Sequence, residues 1–250
     1  AVEAAFWRAC PYGPDHFASV RTRVVRSEHG DPESNEAATA QWRLTVKDGD
    51  ERRVGRAFSN ALIETALASI PGFYGLSGGP SAATPFGVYR PASVTADLVP
   101  QYVHVDGNTI EVSSVAPAAG TSDGGPQSHP VGGDEQTHMT RRVPLGRIAG
   151  ARSGDKGGDA NLGVFARSDA AFAWLDGFLT VACFKALLPE TEPLAVERYA
   201  LPNLRALNFV IKGLLEEGVA ASSRIDAQAK SLGEWLRARH VEVPVDLLAQ

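Results

Sequence analysis

Cysteine is nearly missing from this 250-residue chain, with only Cys10 and Cys183, far apart and each beside apolar or aromatic residues. That usage excludes a disulfide-stapled secreted module and fits a reducing compartment, where a buried thiol behaves as a small hydrophobe. The six histidines are scattered, and no H-x-x-H or C-x-x-C pair occurs, so no metal site is expected. No apolar run approaches the ~20 residues that span a bilayer, and the opening A-V-E-A-A-F-W lacks the basic flank and apolar stretch of a secretory signal. A formal charge of -5 and a pI of about 5.7 remove any overall attraction to nucleic acid or anionic membrane, so an anion site would have to be local. The chain opens on Ala1 without a start methionine, as a processed chain or a piece of a longer one would.

Large apolar residues are also missing locally. Between Ala116 and Arg142 there is no Leu, Ile, Phe, Tyr or Trp, and only Val131 and Met139 are large aliphatics. Such a stretch cannot bury enough surface to offset its ordering entropy, so 116–142 is expected to be a flexible linker dividing 1–115 from 143–250. With 44% hydrophobic residues there is material for a core on either side.

Before the linker, the pattern predicts a short helix at Val2–Ala9, a strand within Phe17–Arg26, a second strand at Gln41–Lys47, and a helix carrying Phe58, Leu62, Ile63, Ala66, Leu67 and Ile70 up to Pro71-Gly72. Arg21, Arg23 and Arg26 form either a solvated strand face or a row facing an anion. Gly72–Pro91, rich in Gly, Pro and aromatics, is a long loop in which Phe73, Tyr74, Phe86 and Tyr89 either contact an acyl group or a partner, or pin the loop to the core. A hairpin follows around Asp106-Gly107-Asn108.

After the linker come a strand near Leu145–Ala151, a strand at Leu162–Ala166, helical material from Asp169 as N-cap to Leu187, strands at Leu194–Leu201 and Leu207–Lys212, and a closing helix with Asp226 near its start. That order, ββαββα, makes a two-layer sheet with helices on one side. The fold class is therefore α+β, built of two small α/β sandwich domains.

The stretch A-G-A-R-S-G-D-K-G-G-D-A-N-L-G-V-F-A, residues 149–166, holds more chemistry than a turn needs. Gly154, Gly157 and Gly158 let backbone N–H groups converge on one point, since glycine places no Cβ in the way. Arg152 and Lys156 add positive charge, with Ser153 between Arg152 and Gly154. Asp155 and Asp159 supply carboxylates suited to general acid–base work, and Asn161 a donor. The spacing is not that of a P-loop, because Lys156 is followed by glycine and a strand. The alternative is a charged, solvated hairpin loop whose aspartates only cap backbone amides. Two further polar groups, Asn203 with Arg205 and Asn208, and Asp226 with Lys230, would join it if they converge at one end of the sheet. Asp226 and Lys230, four apart, could also simply pair.

The run R-S-G-D-K-G-x-x-x-N-L-G-V, followed by E-R-Y-A-L-P-N-L-R-A-L-N-F-V-I-K-G and R-I-D-A-Q-A-K-S-L-G, resembles the C-terminal, ferredoxin-like domain of the acyclic terpene utilisation (AtuA) family, over about Val143–Arg239. A-L-A-S-I-P-G-F-Y and P-F-G-V-Y-R-P-A-S-V-T-A-D-L-V are similar to the distal part of that family's larger N-terminal domain. The resemblance implies a bacterial, cytoplasmic protein of acyl-CoA catabolism of branched or isoprenoid acids, with an acyl-CoA small molecule as ligand and no tightly bound cofactor.

Two functions follow as expectations. In the first the chain is an acyl-CoA hydratase or lyase, or a subunit of one. Asp155 or Asp159 manages the proton, Asn161 and loop N–H groups hold the enolate oxygen, and Arg152, Ser153, Gly154, Lys156, Gly157, Asn203 and Asn208 bind coenzyme A as part of the substrate. In the second it is a non-catalytic assembly subunit, homo- or hetero-oligomeric, docking on an acyl-CoA carboxylase or a partner N-terminal domain. Neither nucleic acid nor membrane is expected as a partner.

Overall fold

The computed structural model describes residues 1–65, 70, 72–75, 82–112 and 139–248, so most of the expected linker and the end of the first long helix lie outside the described residues. The chain divides into two compact units, Ala1–Phe86 and Gly87–Gln250.

In the first unit, helix α1 (Val2–Ala9) precedes strands β1 (Ser19–Val25) and β2 (Gln41–Lys47), which pair antiparallel with Val20 opposite Val46. A short helix α2 (Glu51–Val54) runs into α3 (Arg56–Thr65). Asp50 caps α2, its carboxylate accepting from the Arg52 N–H and pairing with the Arg52 guanidinium, which holds it well down at about 2. The amphipathic helices bury Phe6, Cys10 and Ala61, and Phe6 is ringed edge-on by Trp7, Trp42 and Phe58 at 5.0, 6.0 and 5.0 Å. The basic row on β1 is not uniform: Arg23 lies opposite Arg43, and Arg26 pairs with Glu28.

The second unit opens with a hairpin of β3 (Gln101–Val105) and β4 (Asn108–Val112), turned through Asp106 and Gly107 at φ 48° and 78°. Two successive positive φ angles make the tight turn that matches strand twist, and D-G is the sequence that tolerates it. Strand β5 (Thr140–Pro144) begins inside the stretch assigned by composition to the linker. Beyond it lie β6 (Ala149–Lys156), β7 (Asp159–Ala166), α4 (Asp169–Phe178), α5 (Val181–Leu187), β8 (Val196–Leu201), β9 (Ala206–Ile211), α6 (Leu232–Ala238) and β10 (His240–Pro244).

Strands β6, β7, β9 and β8 form an antiparallel sheet in that order, with β9 between the parallel pair β7 and β8 that the α4–α5 crossover joins. This is the expected ββαββα arrangement, extended by a separate antiparallel pair of β5 with β10. The latter strand went unrecognised in the sequence because the closing helix was placed too early. Residues before Ser231 form turns, with Asp226 shaping the entry to α6: its carboxylate accepts from the Lys230 and Ser231 N–H groups and the Ser231 hydroxyl. Burial pushes the Asp226 carboxyl upward, but these bonds and the charge of Arg224 outweigh it and hold the group low.

Alternation decides the core. Leu162, Val164, Leu207, Phe209 and Ile211 point to the helices and are fully buried, and Phe209 stacks on Phe184 of α5 at 4.2 Å. Ser168, one residue before the expected Asp169, caps α4, and Thr180 caps α5. No single helix among the described residues is long and apolar enough to cross a membrane, and α4 and α5 meet at a bend of 84°. Arg198 of β8, 7% exposed, holds that bend: its Nε donates to the Leu179 carbonyl at 3.0 Å and its Nη2 to the carbonyl and carboxylate of Asp176 at 2.8 and 2.5 Å. Arg198→Leu leaves two helix-end carbonyls and a carboxylate unpaired, and urea unfolding is expected to show a loss of about 2–4 kcal/mol.

Candidate functional site

The stretch expected to be a flexible glycine loop is mostly strand. Arg152, Ser153, Gly154, Asp155 and Lys156 lie on β6, Asp159 and Asn161 on β7, and only Gly157-Gly158 turn between them. The two-residue alternation then parts the candidates. Ser153 and Asp155 follow the buried Ala149 and Ala151 onto the helix side. Arg152, Gly154 and Lys156 lie on the open face with Asp159 and Asn161 of β7 and Asn208 of β9. Asn203 sits apart, in the exposed turn Pro202–Leu204 between β8 and β9, at the far end of the sheet from Gly157.

On the helix side, Ser153 Oγ accepts from the Gly233 N–H at 2.8 Å, a cap supplied to the first turn of α6 by a neighbouring strand. Asp155 pairs with Lys230 Nζ at 3.7 Å. Lys230 therefore does not pair with Asp226, which takes its backbone N–H instead.

On the open face, Asn161 Nδ2 donates to Asn208 Oδ1 at 2.6 Å. Asp159 accepts from the Gly213 N–H at 2.9 Å and pairs with Lys212 Nζ at 3.3 Å. Lys212 also reaches Glu197 at 3.4 Å, and Glu197 accepts from the Tyr199 hydroxyl at 2.9 Å. Hydrogen bonding to Asp159, followed by the charges of Asp159 and Glu197, raises the Lys212 ammonium above its usual value, and the bond to Glu197 raises the Tyr199 phenol. The sequence reading missed Glu197, Tyr199 and Lys212. Their signal was available, since Glu197 and Tyr199 fall on the outward-facing register of β8 and Lys212 directly follows β9.

The glycines of the turn answer to packing. Gly157 has φ 64°, and a Cβ there would lie 2.3 Å from Tyr89 Cε1. A Cβ on Gly158 would lie 2.3 Å from the Glu216 carbonyl oxygen. Tyr89 is held over the turn by its own N–H, which donates to the Glu217 carbonyl at 2.8 Å. The turn thus has a chain segment on it, which is the pinning role weighed for Tyr89 in the sequence. A cavity of about 290 Å³ elsewhere in the unit is lined by Arg142, Leu187, Ala238, Arg239 and His240, and none of the sequence-predicted residues lines it.

Residues 143–242 match the AtuA ferredoxin-like domain, which is the class of fold that the split sheet and its one-sided helices define. Residues 2–105 match the acyclic terpene utilisation family protein AtuA, and the chain belongs to that family. No curated protein and no solved structure matches it. The membership ties the chain to acyclic terpene utilisation in a coarse sense only.

Two expectations follow from the contacts. Gly158→Ala drives a methyl into the Glu216 carbonyl, so its melting temperature should fall by several degrees, whereas the same change at the open Gly177 should cost nothing. Lys212 and Tyr199 titrate higher folded than unfolded, so their contribution to stability is complete below about pH 10 and disappears as the pH climbs through the folded values. Thermal scans at alkaline pH should show a steeper decline for the native chain than for Lys212→Met.

Proposed function

We propose that the chain serves acyl-CoA catabolism of branched or isoprenoid acids as a non-catalytic assembly subunit, with the open face of its ferredoxin-like sheet as the assembly surface. The observation that carries this reading is the parting of the two carboxylates. Hydration of an enoyl thioester needs a carboxylate free to exchange a proton beside donors for the enolate oxygen. Asp155 lies on the helix side and is paired with Lys230, while Asp159 is held by Lys212 and the Gly213 N–H. On the open face Phe165 and Leu201 stand 43% and 40% exposed beside a charged end, the mixture of apolar centre and polar border that protein interfaces use.

One arrangement favours the hydratase reading: Asp159, Asn161 and Asn208 share a face with Arg152 and Lys156, which could receive the phosphates of coenzyme A. The two readings part on measurement. Purified chain assayed on branched enoyl-CoA thioesters should give no turnover above background, and native mass spectrometry should find it in an oligomer. Turnover lost by at least about tenfold in Asp159→Asn, with the fold retained, would replace the assembly role by the catalytic one.

A further inference from the structure

The open face is complementary to itself. Its outward residues lie in four levels across the strand order β6, β7, β9, β8. The first level reads Gly150, Phe165, Ala206, Leu201, and the second Arg152, Gly163, Asn208, Tyr199. The third reads Gly154, Asn161, Val210, Glu197, and at the fourth Asp159 of β7 meets Lys212 beyond the end of β9.

A two-fold axis running along the strands between β7 and β9 sets β6 of one copy over β8 of the other and β7 over β9, level on level. At the first level Leu201 lands on the Phe165 ring, which lies across Gly150 of its own chain, and Ala206 borders this apolar contact. At the second Arg152 lies over the Tyr199 ring, a cation–π geometry, and Asn208 over Gly163. At the third Glu197 comes over Gly154, where the Lys230 ammonium stands 3.0 Å from the position a Cβ would take, and Val210 faces Asn161. At the fourth the Asp159 carboxylate meets the second copy's Lys212. Apolar side chains thus meet at the first level, a cation meets an aromatic ring at the second, and unlike charges meet at the third and fourth. A two-fold across the strands would instead set Phe165 on the Asp159 carboxylate. The twist of facing sheets, roughly 30° at about 10 Å separation, leaves these central pairings within reach.

We infer that a second copy of this chain covers the face, forming an isologous sheet-on-sheet dimer about an axis parallel to the strands. The inference rests on the reading of this face as an assembly surface and names its occupant. Four strands about 4.8 Å apart and six residue steps of about 3.3 Å give a footprint of roughly 400 Å² per copy, about 800 Å² in all, the size of a weak and transient interface, so micromolar dissociation is expected.

Sedimentation of the full chain across micromolar concentrations tests it. A dimer is expected, with Phe165→Glu raising the dissociation constant at least about tenfold while the circular dichroism stays unchanged; Leu201→Glu gives the same readout should the first variant misfold. Register is read by placing cysteines at Arg152 and Tyr199 together, in a background carrying Cys10→Ala and Cys183→Ala. Within one chain these sites are three strands, roughly 14 Å, apart, but they face each other between copies, so a short bis-maleimide should yield a covalent dimer from the double variant and little from either single one. A chain that stays monomeric at 100-fold above the micromolar range, or a dimer indifferent to both glutamates, overturns the inference. If the monomer instead binds an acyl-CoA carboxylase subunit and loses it in Phe165→Glu, the second copy is excluded while the assembly role stands.

Discussion

The two-residue turn at Gly157-Gly158 sets the register of β6 against β7, and the division of this sheet into a core face and an open face depends on it. With Lys156 opposite Asp159, the alanines and aliphatic residues of both strands point to the helices together with Ser153 and Asp155, while Arg152, Lys156, Asp159 and Asn161 point away. A slip of one residue would send Leu162 and Val164 to the solvent and Asp159 and Asn161 into the core. The turn is locked by two contacts that only glycine permits, the Tyr89 ring against Gly157 and the Glu216 carbonyl against Gly158, and by the Leu215 N–H donating to the Gly158 carbonyl at 2.9 Å.

That geometry changes what the cluster of charge means. Read along the chain, Arg152 to Asn161 is a dense run with both signs, as a guest site would be. Folded, it is two strands of a hairpin seen from two sides. Ser153 and Asp155 serve the entry of α6, whereas Asp159 and Asn161 join Lys212 and Asn208, more than forty positions away on β9 and just past its end. Hydrogen bonds between Asn161 and Asn208, and between Tyr199 and Glu197, order the face before anything lands on it, which lowers the entropy lost on association.

Much of this fold is legible in residue spacing. The period-two runs at Leu162–Ala166 and Leu207–Lys212 and the D-G turn each carry their own local signal, and the structure agrees with them; of the stripe expected on α3, Phe58 and Leu62 pack on the core while Ile63 is exposed. The misreadings share one cause, which is that partners distant in sequence decide the outcome. Gly154 suggests a loop, yet it is a strand residue whose missing Cβ leaves room for Lys230 Nζ. Asp226 suggested a helix start, but Ala229 at φ 53° breaks the path and α6 begins only at Leu232. Strand β10 has a plain V-E-V alternation, hidden only by the expectation that the helix before it closed the domain.

The seat of Tyr89 bears on how such proteins can be cut and rejoined. Residues 87–90 belong by sequence to the first family match, yet one of them roofs a bend of the second. A ferredoxin-like half made as its own polypeptide would bare that bend, and would have to recruit an aromatic from elsewhere or trade its glycines for bulkier residues. Gene fission in this family should therefore leave its scar at two places at once, the break itself and the pair of glycines it uncovers.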